Sequence, residues 1–216
     1  MNHFWPWLTL LLLGAYHGLN PGMGWLFALS SGLQERSRRA LVSSLLPIAM
    51  GHAAAISFTV LMLAVLQRAL SPRIVQLVVV VALFSMGIWR CFRGRHPSGG
   101  GMRVGKRELA VWSFAMASAH GAGLMLAPIL LTSPTSTMEH SVHHAAMSIA
   151  GLGMEGLTLA VMIHTAGLLL TGGALALIVY QTYERCGLGL LRRVWFNFDL
   201  LWAAALIIAG LTLLLG

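Results

Sequence analysis

Four histidines, His17, His52, His120 and His164, each lie near the middle of a separate long apolar stretch. An imidazole in hydrocarbon is costly to keep. Ionisable side chains at membrane depth mark ion pathways, proton relays or cofactor ligands, and imidazole is a ligand for zinc, copper, iron and nickel. Two of the four sit in a repeated pattern, Met50-Gly-His52-Ala-Ala and Met162-Ile-His164-Thr-Ala. The other two precede glycine, as His17-Gly18 and His120-Gly121. The pattern predicts a protein that gathers imidazoles around something small at the bilayer centre.

The elements that must position these residues follow from composition. Of 216 residues, 57% are hydrophobic and only 9% charged, with a mean hydropathy of +0.79. A soluble domain carries about 25% charged residues, so the solvent for most of this surface must be lipid. Spanning helices need roughly 20 apolar residues, and the sequence offers six such stretches, at about 4–30, 40–67, 74–92, 109–132, 148–180 and 195–215. The expected fold is an all-α polytopic membrane protein of six transmembrane helices.

The net charge of +8 is a topology signal. Arg36, Arg38 and Arg39 fall in the first loop, and Arg90, Arg93, Arg95, Arg103, Lys106 and Arg107 flank the third. Arg185, Arg192 and Arg193 fall in the fifth, leaving only Arg68 and Arg73 for the opposite side. Cytoplasmic loops collect Lys and Arg, so the chain is expected in a bacterial inner membrane with both termini outside. Nucleic acid as a partner would require a folded basic surface with aromatic platforms, and the sequence has none. The first stretch lacks a basic n-region and a small-residue cleavage site, so it is read as a retained span. Cys91 and Cys186 map to cytoplasmic ends and form no Cys-x-x-Cys pair, which makes them free thiols of no special role.

Each half of the chain offers a helix with His-Gly, a helix with Met-x-His-x-Ala and a plainly apolar third. The expected organisation is a three-helix repeat over 1–93, a basic cytoplasmic linker over 94–107 and a second repeat over 108–216. An odd number of helices per repeat turns the second copy upside down. At a rise of 1.5 Å per residue each histidine falls roughly 17–24 Å into its helix, near the middle of a ~30 Å core. All four rings can then meet.

The run His17-Gly-Leu-Asn20-Pro21-Gly22-Met23-Gly24 should break the first helix. Pro21 removes an amide donor and clashes with the preceding turn, and the glycines weaken the helix further. Unwound backbone at membrane depth is tolerated where it is buried in protein or lines a wet cavity. The break would set carbonyls, an imidazole and a carboxamide side by side, the ingredients of a cation site in a discontinuous helix. Pro47 and Pro128 either loosen their own spans in the same way or are the Gly and Pro that are simply common in membrane helices.

The segment His17-Gly-Leu-Asn-Pro-Gly-Met-Gly resembles the first-helix motif of NicO-type nickel/cobalt transporters, in the broader LysE-like superfamily. That motif reads approximately His-Gly/Ala-Leu-x-Pro-Gly-His-Gly. A later His-Thr-x-Gly-Val-type segment of the family resembles His164-Thr165-Ala166-Gly167-Leu168. The resemblance implies a six-span core descended from a three-span duplication. It makes His17 the first motif histidine, and His52 or His164 the second-helix histidine. The chain departs from the motif at Met23, where the family has a second histidine, and at Asn20, where many members are acidic.

If an ion binds, that departure has a chemical meaning, because thioether selects soft Cu(I). Met23, Met50, Met125 and Met162 each lie within a few residues of one of the histidines, although methionine is also a flexible apolar filler. Carboxylates are nearly absent from the spans. Glu155 and Asp199 lie at helix starts, so proton coupling would fall to the histidines, with ion binding expelling protons. In the loop between the fourth and fifth stretches, His140, His143 and His144 offer either an outer capture site for an arriving cation or a polar connection.

The expected function is transport of a small cation, a nickel/cobalt-like or copper ion, through a site built from His17, Asn20, Met23, His52, His120 and His164. The ion is substrate, and no tightly bound cofactor is expected. The partners are the lipid bilayer, the metal ion and a possible second copy of the chain. The principal alternative is a haem-binding redox protein using the same histidines as axial ligands. A further one has each histidine hydrogen-bonded across a helix interface. No nucleophile–base–acid set is evident, so an enzyme is not expected.

Overall fold

The computed structural model describes residues 4–92, 105–128, 153–186 and 198–215. Among these residues the chain is all helical, without a strand. The expected loop site at His140, His143 and His144, and most of the linker, lie outside the described residues.

The first apolar stretch is two helices. α1 runs Phe4–Leu19, a 3₁₀ turn occupies Pro21–Met23, and α2 runs Trp25–Glu35. Asn20 caps the turn, its Oδ1 accepting from the Gly22 N–H at 2.9 Å. Gly24 follows at φ 110°, a left-handed conformation that a side chain would strain. The break expected from Asn20–Gly24 is therefore present. α3, Arg38–Ala69, starts on Ser37, whose hydroxyl accepts from the Ala40 N–H. It remains helical through the buried Pro47. α4, Pro72–Phe92, begins on a proline, where the missing amide costs nothing.

α5, Lys106–Ala119, is shorter than its apolar stretch. It ends at His120, turns at Gly121 (φ 68°) and continues through a 3₁₀ turn at Leu124–Leu126. The fourth stretch is thus interrupted directly after its histidine, seven residues earlier than Pro128 alone would place it. α6, Gly153–Cys186, and α7, Phe198–Leu215, complete the described chain. Arg38–Ala69, Pro72–Trp89 and Gly153–Arg185 are long and apolar enough to cross a membrane, and Ala203–Leu215 is a shorter apolar helix. Their outward faces carry Leu46, Phe58, Val65, Val81, Leu170 and Ile178 in exposed positions, as a surface solvated by lipid does.

α1 lies along α6, α3 along α5 and α4 along α7. Backbone proximity fixes the first two pairings. A methyl group on Gly14 would stand 1.9 Å from the His164 carbonyl oxygen, and one on Gly51 would stand 2.1 Å from that of Ala110. Only residues without a Cβ let helices approach so closely. Gly18 meets Leu168 just as Gly14 meets His164, so α1 and α6 run parallel. In the third pairing, Gln76 donates to the Leu213 carbonyl while Gly87 packs on Ala203, so α4 and α7 run antiparallel.

Two apolar clusters orient the rest. Leu29, Leu41, Leu109 and Tyr180 pack together near one end, and Leu10, Ile56, Leu126 and Val161 nearer the other. α1, α2 and α6 therefore run in one direction, α3 and α5 in the opposite one. Arg36, Arg38, Arg39, Lys106, Arg107 and Arg185 all fall at the first end, with Arg68 and Arg73 at the second. An ion pair of 2.9 Å joins Arg38 to Glu184 at the arginine-rich end.

Candidate functional site

His17, His52 and His164 are wholly buried and come from α1, α3 and α6. Their rings form a triangle. Centroids are 5.7 Å apart for His17 and His52, 4.8 Å for His17 and His164, and 5.5 Å for His52 and His164. The local packing explains the convergence. Gly14 admits the α6 backbone one turn before His17, and Gly51 admits α5 beside His52. The side chains between these close approaches project into the same small volume.

His17 has a fixed tautomer. Its Nδ1 lies 2.8 Å from the Leu13 carbonyl. A carbonyl can only accept, so Nδ1 carries the proton and Nε2 the lone pair. A metal-ligating histidine is oriented in this way, by a second-nitrogen bond to a carbonyl or carboxylate. Neither ring nitrogen of His52 or His164 has a hydrogen-bond partner. The Leu10 backbone faces His164 without meeting hydrogen-bond geometry. An unsatisfied buried polar group costs about 1–3 kcal/mol, and two such rings side by side make a concentrated donor set.

The separations suit one small ion. With metal–nitrogen bonds of about 2.0–2.1 Å and each ring centroid about 1 Å further back, three imidazoles around one ion place their centroids about 5 Å apart. Among the described residues no group of three His, Cys, Asp or Glu side chains has its ligating atoms already gathered around a point. The ring centroids stand at about that spacing, but their ligating atoms do not converge on one point. Rotation about the terminal torsion of histidine, which is broad and weakly restrained, is the motion that would aim them.

The other expected site residues are not members of the triangle, although His120 is close enough to His17 to interact with it electrostatically. Asn20 is buried, with Oδ1 bound to the Gly22 amide and Nδ2 without an acceptor. His120 is buried at the end of α5, its Nδ1 2.7 Å from the Met116 carbonyl. It lies against the broken segment, with Cε1 3.6 Å from where a Gly22 Cβ would stand. Met23 is buried among Val75, Val79, Leu83, Met125 and Leu206, an apolar setting. Met50 and Met162 are 62% and 63% exposed, turned outward from the rings beside them in sequence. Glu155 is exposed at the start of α6.

Met116 was not singled out from the sequence, and Thr165 entered only as the neighbour of His164. Met116 stands one helical turn before His120 and reaches Gly22, its Cε 3.4 Å from the Cβ position there. Thr165 is buried and its hydroxyl has no partner, whereas Thr59, Thr158 and Thr182 each bond back to the carbonyl four residues earlier. The only sequence signal for either was its neighbouring histidine. Toward the arginine-rich end, Gly18, Met23, Trp25, Ile48 and Gly172 border a cavity of about 10 Å³, room for about one water molecule.

No protein-family model, curated protein or solved structure matches the chain, so the reading of this site rests on its own chemistry.

Proposed function

We propose that the protein is an inner-membrane transporter of a small transition-metal cation, and that His17, His52 and His164 are its central ligands. The observation that carries this reading is the triangle of buried imidazoles, 4.8–5.7 Å between centroids, drawn from three helices. The set holds no carboxylate, so it is poorly suited to Mg²⁺ or Ca²⁺, which demand oxygen ligands. Nitrogen ligands favour nickel, cobalt, zinc or copper. Two axial imidazoles on opposite faces of one haem iron would put their centroids at twice the metal–centroid distance, further apart than any pair in this triangle, which argues against haem ligation.

Transport requires the site to face each side in turn, and several relationships support two inverted three-span repeats as the device. His17 and His120 both bond through Nδ1 to the carbonyl four residues earlier. Both are followed, starting four residues later, by a 3₁₀ turn in an interrupted span. His52 and His164 stack against each other, and each follows an outward-turned methionine by two residues. Exchanging the halves maps the α1–α6 pairing onto α5–α3, and the α4–α7 pairing onto itself. Corresponding helices run in opposite directions. The sorting of arginine to one end supports an orientation with that end in the cytoplasm and the termini outside.

In the minimal cycle the ion binds the imidazoles, displaces any protons they carry, and is released after the bundle changes the side it opens to. The test is Co²⁺ binding and vesicle uptake by wild type and His17→Ala. Loss of stoichiometric Co²⁺ and of uptake, with the thermal midpoint retained, supports the reading. Undiminished binding by the variant would overturn it.

A further inference from the structure

We infer that the protein holds a second ion station, beside the histidine triangle, where Met116, His120 and Asn20 surround Gly22, and that this station takes a soft monovalent cation. The inference rests on the transport reading for its purpose but not for its chemistry. The three side chains come from two spans, and the glycine keeps their common space open. A methyl group on Gly22 would stand 3.2 Å from Asn20 Oδ1, 3.4 Å from Met116 Cε and 3.6 Å from His120 Cε1. His120 and Asn20 are buried, and Met116 is half-buried.

The chemistry of the set is specific. His120 donates from Nδ1 to the Met116 carbonyl, which puts its lone pair on Nε2. Met116 supplies a thioether on the same face, one turn away. Thioether and imidazole together select Cu(I)-like ions over hard cations. All three side chains are neutral, and a buried neutral set compensates a single positive charge more readily than a double one.

Asn20 adds direction. Its Oδ1 is committed to the Gly22 N–H, so the amide cannot flip without setting two donors face to face. Its Nδ2 is a buried donor with no acceptor, and a donor repels a bare cation. It can hold a water or an anion that accompanies the ion. The station therefore suits an ion that is partly stripped of water, between bulk solvent and the all-nitrogen triangle. The broken turn at Asn20–Gly24 connects the two, since Asn20 N–H bonds to the His17 carbonyl.

The experiment uses the full chain in detergent with Ag⁺, a redox-inert probe for soft monovalent sites, reading stoichiometry by metal analysis and affinity by titration. Wild type should bind two Ag⁺. Met116→Leu, a volume-conserving change, should bind one, and His17→Ala should bind one by losing the other. Gly22→Ala, which fills the space without removing a donor, should weaken the Met116-dependent ion at least tenfold. Two ions bound by Met116→Leu would overturn the inference. One ion in wild type, lost equally in either variant, would overturn it by making the cluster a single site. If His17→Ala keeps both ions while Met116→Leu loses one, the second station stands and the triangle fails.

Discussion

The imidazoles of His52 and His164 lie nearly parallel, with planes 6° apart and centroids 5.5 Å apart, although they belong to opposite halves of the chain. His17 meets both rings edge-on, at 70° and 75°. The pair is made by α3 and α6, which pack on each other, while α1 and α5 flank them. The stacked pair bridges the two halves of the chain, and the His17 ring abuts both of its members.

Ion binding should weaken on acidification. Each imidazole must present a lone pair to the ion, and a proton competes for that lone pair. Co²⁺ affinity measured at about pH 7 should exceed that at about pH 4. Equal affinities across that range would show that the rings are not ligands.

Lengthening the side chain at Gly14 should separate α1 from α6. Gly14→Leu cannot be accommodated beside a backbone carbonyl 1.9 Å from its Cβ, and overpacking of this kind costs about 1–3 kcal/mol or more. The thermal midpoint in detergent should fall and Co²⁺ binding with it. Gly173→Ala meets only the end of the Leu45 side chain, at 3.1 Å, and should be tolerated by both measures.

The bond from Ser113 Oγ to the Ile48 carbonyl, 2.7 Å long and buried, ties α5 to α3 one turn before His52. Interhelical bonds of this type contribute about 0.6 kcal/mol on average and up to about 1.7. Ser113→Ala should lower stability within that range. It should also loosen the His52 position enough to weaken ion binding more than a lipid-facing Ser85→Ala does.

Met50→Leu and Met162→Leu should leave ion binding unchanged, because both side chains are mostly exposed on the outer surface. A loss of affinity in either would mean that the helices carrying His52 and His164 rotate during the cycle. Uptake and equilibrium binding measured on the same preparations separate the two outcomes.

Pro21→Ala should depress uptake more than it depresses expression, since the proline helps to define a turn already capped by Asn20 and closed by Gly24. Equal losses would assign the break to folding alone.

Much of this arrangement was legible in the residues. The hydropathy and the rarity of charge required apolar helices, and Pro21 with its glycines required the break that separates α1 from α2. Arginine placement anticipated which ends share a side, as Arg38 and Glu184 now show by contact. Periodicity alone did not show that Met50 and Met162 turn outward while their histidines turn inward. Neighbours two apart on a helix do not share a face, so the repeated motif mixed a site residue with a lipid-facing one.

What the sequence determined by itself was the chemistry available and the position of each imidazole along its helix, because both follow from residue type and helical rise. Only the tertiary structure decided which rings touch. The meeting of His17 with His52 and His164, and the placing of His120 against Gly22 with Met116, depend on how closely backbones approach at Gly14 and Gly51. That is a property of pairs of helices distant in the chain. No local pattern of residues contains it.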